Sequence, residues 1–169
     1  IDKRDVTASI TAAGKTYDGN DGATIDSCSL EAQAGNHGVV SPDAVGCAGS
    51  NGHFANKHAG AGKSVSADVA LTGDDKADYR LTSGSAATTA GIDAADLDIA
   101  AVADSKVYDG TANATVNLSD DRVSGDLFSV SYSDASFADK NVGSGKAVSV
   151  SGISLSGTDA DNYSFNTSA

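Results

Sequence analysis

Lys15-Thr16-Tyr17-Asp18-Gly19 returns as Lys106-Val107-Tyr108-Asp109-Gly110, at an offset of 106 − 15 = 91. Asp5-Val6 matches Asp96-Leu97, and Ala23-Thr24-Ile25 matches Ala114-Thr115-Val116, in the same phase. A second block repeats at a shorter offset: Phe54-Ala55-Asn56-Lys57 returns as Phe137-Ala138-Asp139-Lys140, at 137 − 54 = 83. Leu71-Thr72-Gly73 through Tyr79 returns as Leu155-Ser156-Gly157 through Tyr163, at 155 − 71 = 84. A fixed internal period marks a modular array, so the chain reads as two copies of one small domain. The boundary falls near 91–92, giving domains 1–91 and 92–169. The offsets differ by 91 − 83 = 8, which places about eight extra residues in copy one, near Glu31–Gly38. The chain begins where a repeat begins and stops just before the counterpart of Ala87–Ile92, as expected of a segment from a longer array.

Each copy has little apolar bulk. There are 4 Phe, 5 Tyr, no Trp and no Met, against 19 Gly, so the core must be small and built largely of Ala, Val, Ile and Leu. Net charge is −12, which repels nucleic acid and anionic membranes; nucleic-acid partners are not expected. No apolar run is long enough to span a bilayer as a helix, and no membrane insertion is expected.

The local patterning is β. Val6, Ala8 and Ile10 alternate with Thr7, Ser9 and Thr11, and Leu97, Ile99 and Ala101 do the same in copy two. Val65, Ala67, Val69 and Leu71 alternate likewise; Val148, Val150, Ile153 and Leu155 follow with a one-residue shift near Gly152, which suggests a β-bulge. Asp18-Gly19 and Asp109-Gly110 read as tight turns, and Ala86–Ala95 as a strand passing into the next copy. The expected fold is all-β: two tandem β-sandwich domains, end to end, with no helix. Asp159-Ala160-Asp161-Asn162-Tyr163 has the form of the tyrosine corner of immunoglobulin-like domains, with a looser match at Asp75–Tyr79; the other reading is a surface turn followed by a strand tyrosine. Tyr17, Tyr79, Tyr108 and Tyr163 are candidate structural residues, with Tyr17 and Tyr108 expected to be buried.

Tyr108-Asp109-Gly110, Ser124-Gly125-Asp126, Phe137–Lys146 and Asp159–Tyr163, in that order, resemble the YDG-type repeat. Copy one is similar, with Ser41-Pro42-Asp43 in place of Ser-Gly-Asp and a degraded last motif at Asp74–Tyr79. Such mostly-β, glycine-rich repeats occur in bacterial surface adhesins of the filamentous-haemagglutinin type. The resemblance implies secretion to the bacterial cell surface, a tandem array whose partners are further repeats of the same polypeptide, and no catalytic residues.

In that setting Cys28 and Cys47, present only in copy one, read as a disulfide stapling two neighbouring strands around the insertion (about 28–47). Free thiols, or a zinc site with His37, His53 and His58, are the alternatives, though the spacing fits no Cys-x-x-Cys pattern. No cofactor is expected. Calcium is a weaker candidate at the acidic turns, where Asp74, Asp75 and Asp78, and Asp159 and Asp161, cluster; a solvated turn is the competing reading. Asp18 and Asp109 read as turn residues, since neither copy offers a partner carboxylate or His for acid–base work. The sequence therefore points to a non-enzymatic stalk segment of an adhesin. The second reading is a binding module in which Glu31, Gln33, Asn36 and His37, on the disulfide-pinned loop, engage a host or bacterial surface glycan or protein.

Overall fold

The structure is a computed structural model and describes all residues, Ile1–Ala169. The chain is all-β: no α-helix is present, and the only helical turns are short 3-10 segments at Asp74–Asp78 and Ala160–Asn162. It divides into two compact units, Ile1–Asp93 and Ala94–Ala169.

The first unit contains β1 (Arg4–Val6), β2 (Ala8–Ala12), β3 (Lys15–Thr16), β4 (Ile25–Leu30), β5 (Gly46–Phe54), β6 (Gly60–Thr72), β7 (Tyr79–Leu81) and β8 (Ser85–Asp93). β6 is the long central strand of a sheet ordered β3-β8-β6-β5. It runs antiparallel to β5 and β8, while β3 pairs parallel to β8. β2 and β4 form an antiparallel pair, and β1 lies parallel to β7. The alternation read from the sequence sets the inward face: Val65, Ala67 and Val69 are buried, while Ser64, Asp68 and Ala70 face out. Ile10 of β2 packs against Ala67 and Val69, and Ala8, Ile25, Cys28, Cys47, Leu81 and Ala86 close this small core.

The second unit contains β9 (Ala95–Leu97), β10 (Ile99–Ala103), β11 (Val116–Asp120), β12 (Ser129–Ser131), β13 (Asp134–Phe137), β14 (Val148–Ser151), β15 (Ser154–Ser156) and β16 (Tyr163–Phe165). Its pairings repeat those of the first: β9 with β16 parallel, β10 with β11, β13 with β14 and β12 with β15 antiparallel. Registers correspond as well. Phe54 lies opposite Val65 as Phe137 lies opposite Val148, and Cys47 opposite Leu71 as Val130 opposite Leu155.

The extra residue near Gly152 does not form a bulge in a continuous ladder. It divides the equivalent of β6 into β14 and β15, which pair with separate strands. Gly152 sits at φ 65, and a Cβ there would lie 2.0 Å from Ser133 Oγ. In the first unit the irregularity falls instead on β5, between Ser50 and His53, where Asn51 takes φ 52. The first unit therefore carries a bulge, whereas the second keeps one register on both sides of the gap, with Ser131 opposite Ser154 and Asp134 opposite Ser151, and the positive φ at 152 favours Gly.

Candidate functional site

The recurring polar side chains meet their own backbone. In the first unit the Tyr79 hydroxyl donates to Asp43 Oδ2 at 2.6 Å and accepts the Val40 N–H at 3.0 Å. In the second, the Tyr163 hydroxyl donates to Asp126 Oδ2 at 2.6 Å and accepts the Val123 N–H at 2.9 Å. Each phenol pins upstream backbone, but 39 and 40 residues away rather than the few residues of a tyrosine corner, and a carboxylate completes the pair. Asp43 and Asp126 come from the Ser-Pro-Asp and Ser-Gly-Asp segments, so those motifs are the partners of the tyrosines. The pairing was missed in the sequence, although the joint recurrence of Asp and Tyr was visible. Hydrogen bonding to Asp43 holds the Tyr79 phenol above its ordinary range.

Beside each tyrosine the 3-10 turn returns a second carboxylate to the same upstream segment. Asp75 Oδ2 accepts the Ala44 N–H at 2.6 Å, and Asp159 Oδ2 accepts the Leu127 N–H at 3.0 Å. Of the carboxylates proposed for calcium, Asp75 and Asp159 are thus directed at amides. Asp74, Asp78 and Asp161 are exposed, and no group of three His, Cys, Asp or Glu is placed to hold a metal ion.

The Lys-x-Tyr-Asp-Gly segments form a second recurring clasp. Lys15 Nζ donates to Asp18 Oδ1 at 2.7 Å and to the Asn20 carbonyl at 2.9 Å; Lys106 Nζ donates to Asp109 Oδ1 and to the Thr111 carbonyl, each at 3.0 Å. Asp18 and Asp109 also cap the turn, accepting the N–H of Asn20 and Thr111. Gly19 and Gly110 take φ 83 and 82, as the Asp-Gly reading requires. The Thr111 N–H and the Lys106 ammonium bring Asp109 down to about 2. A parallel clasp joins Lys63 to Asn56 and Lys146 to Asp139.

Tyr17 is buried, at 3 % exposure, but Tyr108 is not: it is 57 % exposed. The expectation of a buried Tyr108 is corrected, and the reason lies in the sheet. Tyr17 follows β3, which lies against β8, and its N–H donates to the Asp93 carbonyl at 2.8 Å. Lys106–Tyr108 has no such strand beside it.

Cys28 and Cys47 are joined, with Cα atoms 5.6 Å apart, inside the usual range for a disulfide. Cys28 lies on β4 and Cys47 on β5, so the bond crosses from one sheet to another rather than between paired strands. The loop between them is ordered by its own contacts. Val39 N–H donates to the Glu31 carbonyl, and Ala34 and His37 exchange two backbone bonds. Arg4 donates from Nη2 to the Gly35 and His37 carbonyls at 2.8 and 2.7 Å, and from Nε to that of Gly38 at 2.7 Å. Arg4 has Ala95 as its counterpart, so this pin belongs to copy one alone, a pairing sequence spacing did not disclose. Of the candidate ligand-loop residues, Glu31 is engaged, accepting the Thr7 N–H at 2.9 Å; Gln33, Asn36 and His37 are exposed. His53 is held away from this loop by Asn51 and Ser66, and the three histidines and the cysteines do not assemble a metal site.

No curated protein sequence and no solved structure matches the chain. A family model, the YDG domain, matches residues 2–90 and again 93–169. The match spans both units and takes in both Tyr-Asp-Gly turns, both phenol–carboxylate clasps and both acidic 3-10 turns, and the chain belongs to the YDG domain family, which it contains twice.

Proposed function

We propose that the chain is a structural repeat segment, a stalk, of a secreted bacterial surface adhesin, built of small immunoglobulin-like β-sandwich units that carry a binding region away from the cell for adhesion or biofilm formation. The supporting observation is where the recurring polar side chains go. Tyr79 and Tyr163, Asp43 and Asp126, Asp75 and Asp159, Lys15 and Lys106, Asp18 and Asp109 are each spent on holding a strand end or turn of their own unit. What is repeated is scaffold, and a scaffold repeated in tandem supplies length. The packing of the β2–β4 pair onto the face of β6 favours the sandwich. The acidic surface suits fibres that must not adhere to one another. Small-angle scattering on the chain tests the reading: consecutive beads give a maximum dimension near the sum of two domain lengths, whereas a single globule around a shared interior removes the basis for a stalk.

A second reading rests on the first unit alone. Its loop is pinned by Cys28–Cys47 and by Arg4, and it holds Gln33, Asn36 and His37 toward solvent. An ordered polar loop on a rigid scaffold suits recognition of a glycan or surface protein. Glycan-array binding by the intact chain, lost when Glu31–Gly38 is deleted, selects this reading; equal silence from both proteins selects the stalk.

A further inference from the structure

In the first unit β1 has a neighbour on each edge. β7 lies parallel on one side; on the other, His37 of the inserted loop bridges Asp5 in parallel, and the Gly38 N–H donates to the Asp5 carbonyl at 3.0 Å. The Asp5 carboxylate is paired as well: Arg80, its register partner on β7, donates from Nε to Oδ1 at 2.8 Å. β8, which follows β7, runs along β6 and β3 and leaves this edge alone. β9 is the equivalent of β1 and keeps only one of these neighbours, β16. The second unit lacks the insertion, Ala95 stands in the place of Arg4, and Ser164, the register partner of Asp96, stands in the place of Arg80. Its acids have increased where its arginines are gone. Asp96 and Asp98 are exposed on one face of the extended chain, with Leu97 buried between them. Asp121 accepts the Asp98 N–H at 2.9 Å, as Glu31 accepts that of Thr7. These three carboxylates and Ser164 line a groove of about 410 Å³. An unpaired strand edge is a template for an added chain, and its charge selects which chain.

We propose that the open edge of β9 is a docking strip for an extended basic peptide that carries arginines at alternate positions. The peptide lies parallel to β9, as His37 and Gly38 lie along β1, and one of its N–H groups meets the Asp96 carbonyl. Alternate side chains of an extended chain share a face, so two arginines two residues apart reach Asp96 and Asp98 together, with Asp121 beside them. The guanidinium fork suits a carboxylate through paired N–H donors. The partner thus supplies what the first unit holds within itself, a strand neighbour and a guanidinium for the strand's aspartate. The backbone contact is short, so the charge pairs carry most of the affinity, and binding weakens as salt screens them. The same charges refuse the wrong neighbour: a second copy of this chain, at net charge −12, is repelled. The proposal does not depend on the stalk reading.

The test is titration of an end-blocked peptide, Ala-Thr-Arg-Val-Arg-Thr, into the isotopically labelled full chain at low salt. Saturable amide shifts at residues 96–98 and 164–166, absent from residues 4–7, are expected, and added salt should weaken binding. A peptide of the same composition with its arginines adjacent, Ala-Thr-Arg-Arg-Val-Thr, should bind several-fold more weakly, because an extended chain sends adjacent side chains to opposite faces. The chain carrying Asp96→Asn and Asp98→Asn should bind at least about tenfold more weakly, since the loss of one charge-assisted hydrogen bond accounts for about that factor. Ser164→Arg, which rebuilds on Asp96 the pair that Arg80 makes with Asp5, should weaken binding comparably. All three positions are exposed, so the amide spectra of the variants should otherwise match that of the parent chain. Shifts confined to the β9 edge that answer to both the arginine spacing and the aspartates support the docking strip. Absence of saturable shifts, shifts scattered over the whole acidic surface, equal binding of the two peptides, or unchanged binding by the asparagine variant overturns it.

Discussion

Tyr163 and Asp126 show how much a single pair decides. Asp126 is 6 % exposed, and its carboxylate is bonded to the Tyr163 hydroxyl. Tyr163→Phe removes that donor and leaves a buried carboxylate and the Val123 N–H without it. The expected loss is about 1–3 kcal/mol of stability in the second unit, read by urea denaturation. A change below about 0.5 kcal/mol would mean that the clasp is ornamental. The turn aspartates set the acid response. Asp109 is held at about 2, mainly by the Thr111 N–H and the Lys106 ammonium. Asp120 is lowered mainly by the Arg122 guanidinium and Asp139 by the Lys146 ammonium, while at Asp18 burial pulls upward but Lys15 and Asn20 outweigh it. Folded values below the ordinary 3.8 mean that the unfolded chain binds more protons. Stability is therefore fully present above about pH 4 and is lost as pH falls toward 2. The midpoint of urea unfolding should be level from pH 5 upward and drop between pH 4 and 2; Asp109→Asn should flatten part of that drop, and an unaltered slope would exclude Asp109 as a contributor.

At the scale of elements, the disulfide and the glycine before each 3-10 turn set the limits of change. Cys28 and Cys47 are 19 residues apart in sequence, and closing a loop of that size removes roughly 3 kcal/mol of unfolded-state entropy. Reduction, or Cys28→Ser with Cys47→Ser, should lower the melting temperature of the first unit and leave the second unmoved. A shift of both by the same amount would show that they unfold as one. Gly73 follows β6 and Gly157 follows β15, at φ 95 and 147, and a Cβ would lie 2.2 Å from the Ala44 carbonyl oxygen and 2.5 Å from Phe128 Cα. The obstacle is backbone and cannot swing aside, so Gly157→Ala should cost at least about 1–3 kcal/mol. Thermal denaturation of that variant checks it; tolerance of alanine would show that the turn can move away from Leu127 and Phe128.

For the whole molecule, two units with similar strand plans but different staples should not melt alike. The first is closed by the Cys28–Cys47 disulfide, and the second contains no cysteine. Differential scanning calorimetry should resolve two transitions, and adding reductant should move only the upper one. One sharp transition with calorimetric and van't Hoff enthalpies in agreement would contradict independent units.

The repeat made the doubling of the domain legible, because a period survives in the residues themselves. Alternation likewise disclosed which faces of β2, β6 and β10 turn inward, and Asp-Gly disclosed the turns, since both follow from local backbone geometry. Pairing across the chain was not local. That Asp126 meets Tyr163, that Arg4 grips the inserted loop, that the disulfide crosses between sheets, and that Tyr108 is exposed while Tyr17 is buried depend on which strand lies beside which. Those neighbours are settled by long-range register and packing, so a residue's environment follows from the strand beside it, as Tyr17 is buried next to the β3–β8 pair.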